Sequence, residues 1–219
     1  PRATQERSSV EKEDSPLYEY SIPFATRSAS NENALTNNRL FRARFDKREL
    51  WVLGGLGADM VEVVTMRLKE LADVSSDPVT VFIDSPGGWA FEGFGLYDAI
   101  RSCPLEVRTV NLVVALSAAA VLFLAGDRRY CYPHSSFMFH CIARSFGQGA
   151  SESVVASRIT ADYISELTKT WIKNVKPRLH ASEELWRTLT ESSDERWLGA
   201  EEALEWGLVH EILPAKGTA

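Results

Sequence analysis

A serine, a histidine and a glycine turn occur in this chain in an order that could carry out nucleophilic acyl chemistry. Ser117 lies in Ala115-Leu116-Ser117-Ala118-Ala119-Ala120, directly after an apolar run and at what reads as a helix start. Small neighbours allow a tight strand-to-helix turn, and a hydroxyl at a helix amino terminus meets a field that favours developing negative charge. His140 closes the apolar run Phe137-Met138-Phe139 and is one of four histidines. Imidazole takes up a proton near neutrality without perturbation, which makes it the natural base for that hydroxyl. Upstream, Asp84-Ser85-Pro86-Gly87-Gly88 ends another apolar run. Two glycines between a strand and a helix can leave backbone N–H groups pointing into a cleft, where an oxyanion would be received.

Each feature also has an ordinary explanation. Ser117 reads as a buried helix cap, His140 as a core histidine satisfied by backbone, and Gly87-Gly88 as a tight turn. Their order and context favour the chemical reading. The glycine segment has no Gly-Lys-Ser/Thr ending and does not match Gly-x-Gly-x-x-Gly, so a nucleotide-phosphate loop is excluded. His134, His180 and His210 lie in polar or turn contexts and read as surface residues. A third group should hold the imidazole tautomer and stabilise imidazolium, a task for a carboxylate. Asp162, Glu166, Glu191, Asp194 and Glu195 are the downstream candidates. Those on the long helix face solvent, which favours the loop pair Asp194 and Glu195; the residues alone leave the choice between them open.

The elements that must position these groups alternate along the chain. A strand near Leu50 to Leu53 leads to a helix from Asp59 to Leu71, then to the β-rich run Val79 to Ile83 before the glycine turn. A helix from Phe91 to Ser102, a strand from Val107 to Val113 and a helix beginning near Ser117 follow. Arg129 to Cys131 and Phe137 to His140 read as short strands, with Pro133 at the turn between them. This alternation implies a largely parallel α/β core. After a break at Gly147-Gln148-Gly149, Val154, Val155, Ile159, Tyr163, Ile164, Leu167, Trp171 and Ile172 recur at three- and four-residue spacing. That spacing predicts a long amphipathic helix ending before Pro177. A helix capped by Ser182 and running to Thr190, a polar loop from Glu191 to Arg196, a helix from Ala200 to Trp206 and a strand from Val209 to Leu213 complete the chain.

Composition bounds the function classes. The chain has 219 residues, 45% hydrophobic and 25% charged, the profile of one ordinary globular domain with a sizeable core. Residues 1–44 are polar and read as an arm or processed leader, with the domain at 45–219. A formal net charge of −6 without a basic stripe argues against a nucleic-acid partner. The longest apolar stretch, Val107 to Ala125, includes Arg108, Thr109, Asn111 and Ser117, and reads as a buried strand running into a buried helix rather than a membrane span. No secretory signal pattern opens the sequence, so a cytoplasmic location is the expectation. The three cysteines fall in no Cys-x-x-Cys or Cys/His pattern, so neither a disulfide framework, a metal nor a cofactor is expected.

The ordered set Ile83-Asp84-Ser85-Pro86-Gly87-Gly88, Leu96-Tyr97-Asp98, Ala115-Leu116-Ser117-Ala118-Ala119-Ala120, Arg129-Tyr130-Cys131-Tyr132-Pro133-His134-Ser135 and Met138-Phe139-His140 resembles the proteolytic subunit of the Clp protease. Trp197-Leu198-Gly199-Ala200-Glu201-Glu202-Ala203 and Gly207-Leu208-Val209 resemble its closing segment. The resemblance implies a ClpP/crotonase-type α/β fold of repeated strand-strand-helix units with a protruding handle helix. It makes Ser117 the nucleophile and His140 the base, with the backbone N–H groups of Gly88 and Ala118 as the oxyanion hole. The family's triad aspartate aligns with Glu195, with Asp194 as the alternative acid. The stretch Cys141 to Gly147 departs from the family's Gln-Pro and glycine-rich strand. Further implications are heptameric rings, homo- or hetero-oligomeric and stacked as a tetradecamer, an AAA+ unfoldase ATPase as partner and unfolded polypeptide as substrate. Two rivals follow: a catalytically impaired ring subunit with a structural or regulatory role, and an acyl-CoA enzyme of related fold.

Overall fold

The computed structural model describes residues 41–57, 59–142, 154–181, 183–191 and 194–214. All of them belong to one compact unit, Asn31–Ala219. Strand β1 (Phe41–Arg44) and β2 (Glu49–Leu53) are followed by helix α1 (Met60–Val74), β3 (Val79–Ser85), α2 (Ala90–Arg101), β4 (Val107–Leu116) and α3 (Ala118–Phe123). Then come β5 (Arg128–Cys131), β6 (Ser136–Phe139), α4 (Val154–Val175), α5 (Glu183–Glu191), β7 (Arg196–Leu198), α6 (Ala200–Glu205) and β8 (Glu211–Ile212).

Strand β3 shows why the sheet has one covered face. Val79, Val81, Ile83 and Ser85 are buried while Thr80, Phe82 and Asp84 between them are half-buried, the period-2 alternation of a sheet packed on one side. Leu68 and Leu71 of α1 and Leu96 and Ile100 of α2 join the same core, each at most 2% exposed. At about 25 cal/mol per Å² of apolar surface, each such leucine contributes roughly 1.5–3 kcal/mol. Strands β2, β3, β4, β5 and β8 run parallel in that order, with β1 antiparallel at the β2 edge.

The feature that builds the site is a change of partner along β4. Its first half, Arg108 to Asn111, pairs with β5, and its second half, Val114 to Leu116, pairs with β6. The turn between β5 and β6 is held by the Ser135 hydroxyl, which donates to Asn111 O at 2.9 Å and accepts from the Tyr132 amide at 3.1 Å. Phe123 of α3 and Phe137 of β6 pack together in the core, their ring planes tilted by 57° with centroids 4.9 Å apart. Parallel pairing of β4 with β6 brings their carboxyl ends, Ser117 and His140, side by side across 23 residues of chain.

Several expectations are met closely and some are not. Phe41–Arg44, assigned to the polar arm, pairs with β2; residues 1–40, the Gly147 to Gly149 break and the Ser182 cap lie outside the described residues. The polar loop expected from Glu191 to Arg196 leads directly into β7, a strand absent from the sequence reading because three residues carry no usable periodicity. The long helix ends at Val175, and Pro177 sits in a 3-10 turn, Lys176–Arg178. Its apolar stripe is only partly core: Trp171 is buried, whereas Val154, Val155, Ile159 and Tyr163 are exposed, so the amino-terminal half projects as a handle.

Candidate active site

Ser117 sits where β4 gives way to α3, with φ 54° and ψ −123°. Among the described residues only Arg48 and Ser117 are non-glycine positions with positive φ, a conformation that costs of order 1–3 kcal/mol and persists where its surroundings over-determine it. The surroundings here are specific: the Ser117 amide donates to Met138 O at 2.8 Å, and its carbonyl accepts from the Ala120 and Val121 amides. Its hydroxyl makes no cap hydrogen bond to α3, which rules out the capping explanation. Instead Ser117 Oγ lies 2.7 Å from His140 Nε2.

His140 follows the last residue of β6, half-buried, with its other ring nitrogen 2.5 Å from Cys141 O. A carbonyl only accepts, so Nδ1 carries the proton and Nε2 is left bare to take the serine hydrogen. That is the tautomer a general base requires. The described hydrogen bonds of His140 go to Ser117 and Cys141, and neither partner is a carboxylate.

The glycine turn lies against the same corner. Gly87 has φ 93°, and a Cβ there would meet Leu116 O at 2.6 Å and Ser117 Cβ at 2.9 Å. Its amide is occupied by the Ser85 hydroxyl at 3.1 Å, and its carbonyl by the Leu56 amide at 2.8 Å. Gly88 is bridged to Leu56, and a Cβ there would meet Leu56 O at 2.3 Å. Among the described residues neither the Gly88 nor the Ala118 amide donates a backbone hydrogen bond. Two N–H groups with no backbone acceptor among the described residues, close to a serine–histidine pair, are of the kind that can receive charge from a carbonyl oxygen under attack.

The two acids expected to complete the set are placed differently. Both are exposed. Glu195 precedes β7, which pairs antiparallel with β6 through Phe139↔Arg196, Met138↔Trp197 and Phe137↔Leu198. Its carboxylate accepts from Trp197 Nε1 at 2.9 Å and is not hydrogen-bonded to His140. Strand β7 is anchored by Arg196, whose guanidinium pairs with Glu202 and lies 5.1 Å from the Trp206 ring centroid. Sequence reasoning missed both Cys141 O as an acceptor and Trp197 as a donor; no residue-type signal marks a backbone carbonyl, and Trp197 stands out in the sequence only as part of a family motif. Among the described residues no group of three or more His, Cys, Asp or Glu could hold a metal ion, and no helix is long and apolar enough to cross a membrane.

Outside this corner, Arg129 is buried and donates to Leu208 O, Gly126 O and Gly207 O, and burial brings its guanidinium down to about 10. The Arg129 amide donates to His210 Nδ1 at 2.9 Å. Desolvation, and then the Arg129, Arg128 and Arg178 charges, hold His210 below its usual value of 6.5. Of the histidines expected at the surface, His210 therefore has a structural partner.

A mixed α/β sheet with helices against it and a handle helix projecting from it is the ClpP/crotonase-type fold. A ClpP1 point mutant from Listeria monocytogenes has the same architecture, with TM-score 0.63 and 24% identity over 78% of this chain and 94% of that one. The Clp protease family model matches residues 31–216, and the chain belongs to that family. It is 32% identical over 168 residues to the ATP-dependent Clp protease proteolytic subunit of Bacteroides thetaiotaomicron, covering 74% of this chain and 73% of that protein. It is 34% identical over 137 residues to ATP-dependent Clp protease proteolytic subunit 2 of Thermobifida fusca, covering 62% of this chain and 64% of that protein.

Proposed function

We propose that this chain is a Clp-type serine endopeptidase subunit that hydrolyses unfolded polypeptides inside a ring chamber fed by an AAA+ unfoldase. The observation that carries the reading is the 2.7 Å approach of Ser117 Oγ to His140 Nε2, made by a serine with a positive φ. As Oγ bonds to the scissile carbonyl carbon, its proton passes to Nε2 and the carbonyl electron pair moves onto oxygen. The Gly88 and Ala118 N–H groups receive that oxyanion. Collapse of the tetrahedral species breaks the C–N bond, Nε2 returns the proton to the departing amine, and an acyl ester remains on Ser117. Water then attacks the ester with the same nitrogen as base, freeing the carboxylic acid and the serine.

Assembly is supported by the exposed stripe Val154, Val155, Ile159 and Tyr163 on the handle helix, since soluble monomers rarely leave contiguous apolar patches of this kind uncovered. Copies of the chain stacked as paired heptamers would cover it and enclose the site. An unspecific endopeptidase needs such enclosure to spare folded proteins.

Ser117→Ala should abolish peptidase activity and covalent labelling by a serine-reactive phosphonate while leaving assembly unchanged. Equal labelling of the variant would remove the assignment. A second reading, a catalytically impaired ring subunit, draws on one observation: the acid aligned with the triad position is bonded to Trp197 rather than to the base. Purified protein that forms rings yet neither cleaves peptide nor takes the label would favour it.

A further inference from the structure

We propose that Trp197 is a positioning residue that holds Glu195 away from the base, so that the serine–histidine pair rests as a dyad and gains its acid only when His140 becomes charged. The inference rests on the hydrolase reading above. The β6–β7 ladder ends at Phe139↔Arg196, and His140 and Glu195 are the next residue on each strand. Side chains alternate along strands, and Met138 is paired with Trp197. Continued by one residue, the same register puts His140, Glu195, Met138 and Trp197 on one face of the ribbon.

On that face two donors share one carboxylate. Trp197 Nε1 now donates to Glu195 Oε2 at 2.9 Å, while His140 Nδ1 donates to Cys141 O at 2.5 Å. In the alternative arrangement Nδ1–H donates to Glu195 and the indole N–H turns to water. Trp197 is 49% exposed, so releasing its N–H leaves no buried donor unsatisfied. With neutral imidazole the resting arrangement keeps two protein hydrogen bonds, Trp197 to Glu195 and His140 to Cys141 O, against one in the alternative, and is the one favoured. Once Ser117 has passed its proton to Nε2, the imidazolium–carboxylate bond has both partners charged, whereas the Trp197–Glu195 bond it displaces has only one. Cys141 O, a neutral acceptor, cannot match it. The exchange of Glu195 from Trp197 to His140 therefore belongs to the acylation step.

Trp197→Phe keeps the ring and deletes the donor. Removing a competing hydrogen bond of ordinary strength should raise kcat on an unstructured peptide, and the rate of phosphonate labelling at Ser117, about 3- to 10-fold with KM unchanged. The gain should vanish in W197F/E195Q, where the side chain at 195 carries no charge. With the chain labelled by 5-fluorotryptophan, the fluorine resonance missing from W197F identifies Trp197. That signal should shift when Ser117 is phosphonylated, and should stay in place in E195Q. Labelling of the unaltered chain and W197F at equal rates, a gain that survives E195Q, or an unmoved Trp197 signal would each overturn the latch alone. If neither protein takes the label, the hydrolase reading falls and the latch falls with it.

Discussion

Gly88→Ala separates the structural and chemical roles of the glycine turn. A Cβ at this position would lie 2.3 Å from Leu56 O and 2.9 Å from Leu56 N, backbone atoms that cannot rotate away. The segment must shift, and the hydrogen bonds it loses are Leu56 N to Gly87 O at 2.8 Å and Trp89 N to Leu56 O at 3.5 Å. At 0.5–1.5 kcal/mol net each, their loss costs roughly 1–3 kcal/mol. For a chain of this size that lowers Tm by about 2–12 °C. On the proposed reading the Gly88 amide is an oxyanion donor that the same shift would turn away, and losing one such donor costs about 100- to 1,000-fold in kcat. Both axes are measurable on one preparation, by calorimetry and by turnover of a fluorogenic peptide with KM recorded. A fall in Tm with kcat intact would refute the assignment of Gly88 as an oxyanion donor. An unchanged Tm would refute the close approach to Leu56 itself.

Two further outcomes follow from groups away from the site. His210 accepts a backbone hydrogen bond at Nδ1 and is held below 6.5 by desolvation and neighbouring arginines, so the unfolded chain binds its proton first as pH falls. Stability is fully present above 6.5 and declines from there down to the folded-state value; His210→Asn should flatten that dependence in denaturant titrations at pH 7.5 and below 6.5, and an unaltered slope would refute the linkage. Cys131 is fully buried, and burial, helped by Glu201, raises its thiol to about 11. Iodoacetamide at pH 8 should leave it unmodified in the native protein, as peptide mass mapping would show, and react with it after denaturation.

The strands and helices carrying the site are legible in the chain because their signals are local. Alternation in β3, the proline at the β5–β6 turn and the small residues around Ser117 each act within a few positions. Strand β7 is too short to leave such a signal, and it is the strand that carries Glu195 to the end of β6. The handle shows a different limit: Val154, Ile159 and Trp171 share one helical periodicity, yet only Trp171 finds a core to enter. Periodicity states which face is apolar and not what covers it.

Residue types and their order alone determined the kind of chemistry available here, a hydroxyl, an imidazole and backbone amides at a glycine turn, together with an alternating α/β frame to carry them. Tertiary structure decided which partner each group has. Ser117 meets His140 because β4 changes partner from β5 to β6 midway, and Glu195 comes to the end of β6 through a register set between segments more than 50 residues apart, where its carboxylate bonds Trp197, two positions on, rather than the base. The physical reason is that a side chain's type follows from its own position in the chain, whereas the partner of a proton or a carboxylate depends on distances that exist only once the strands are in register.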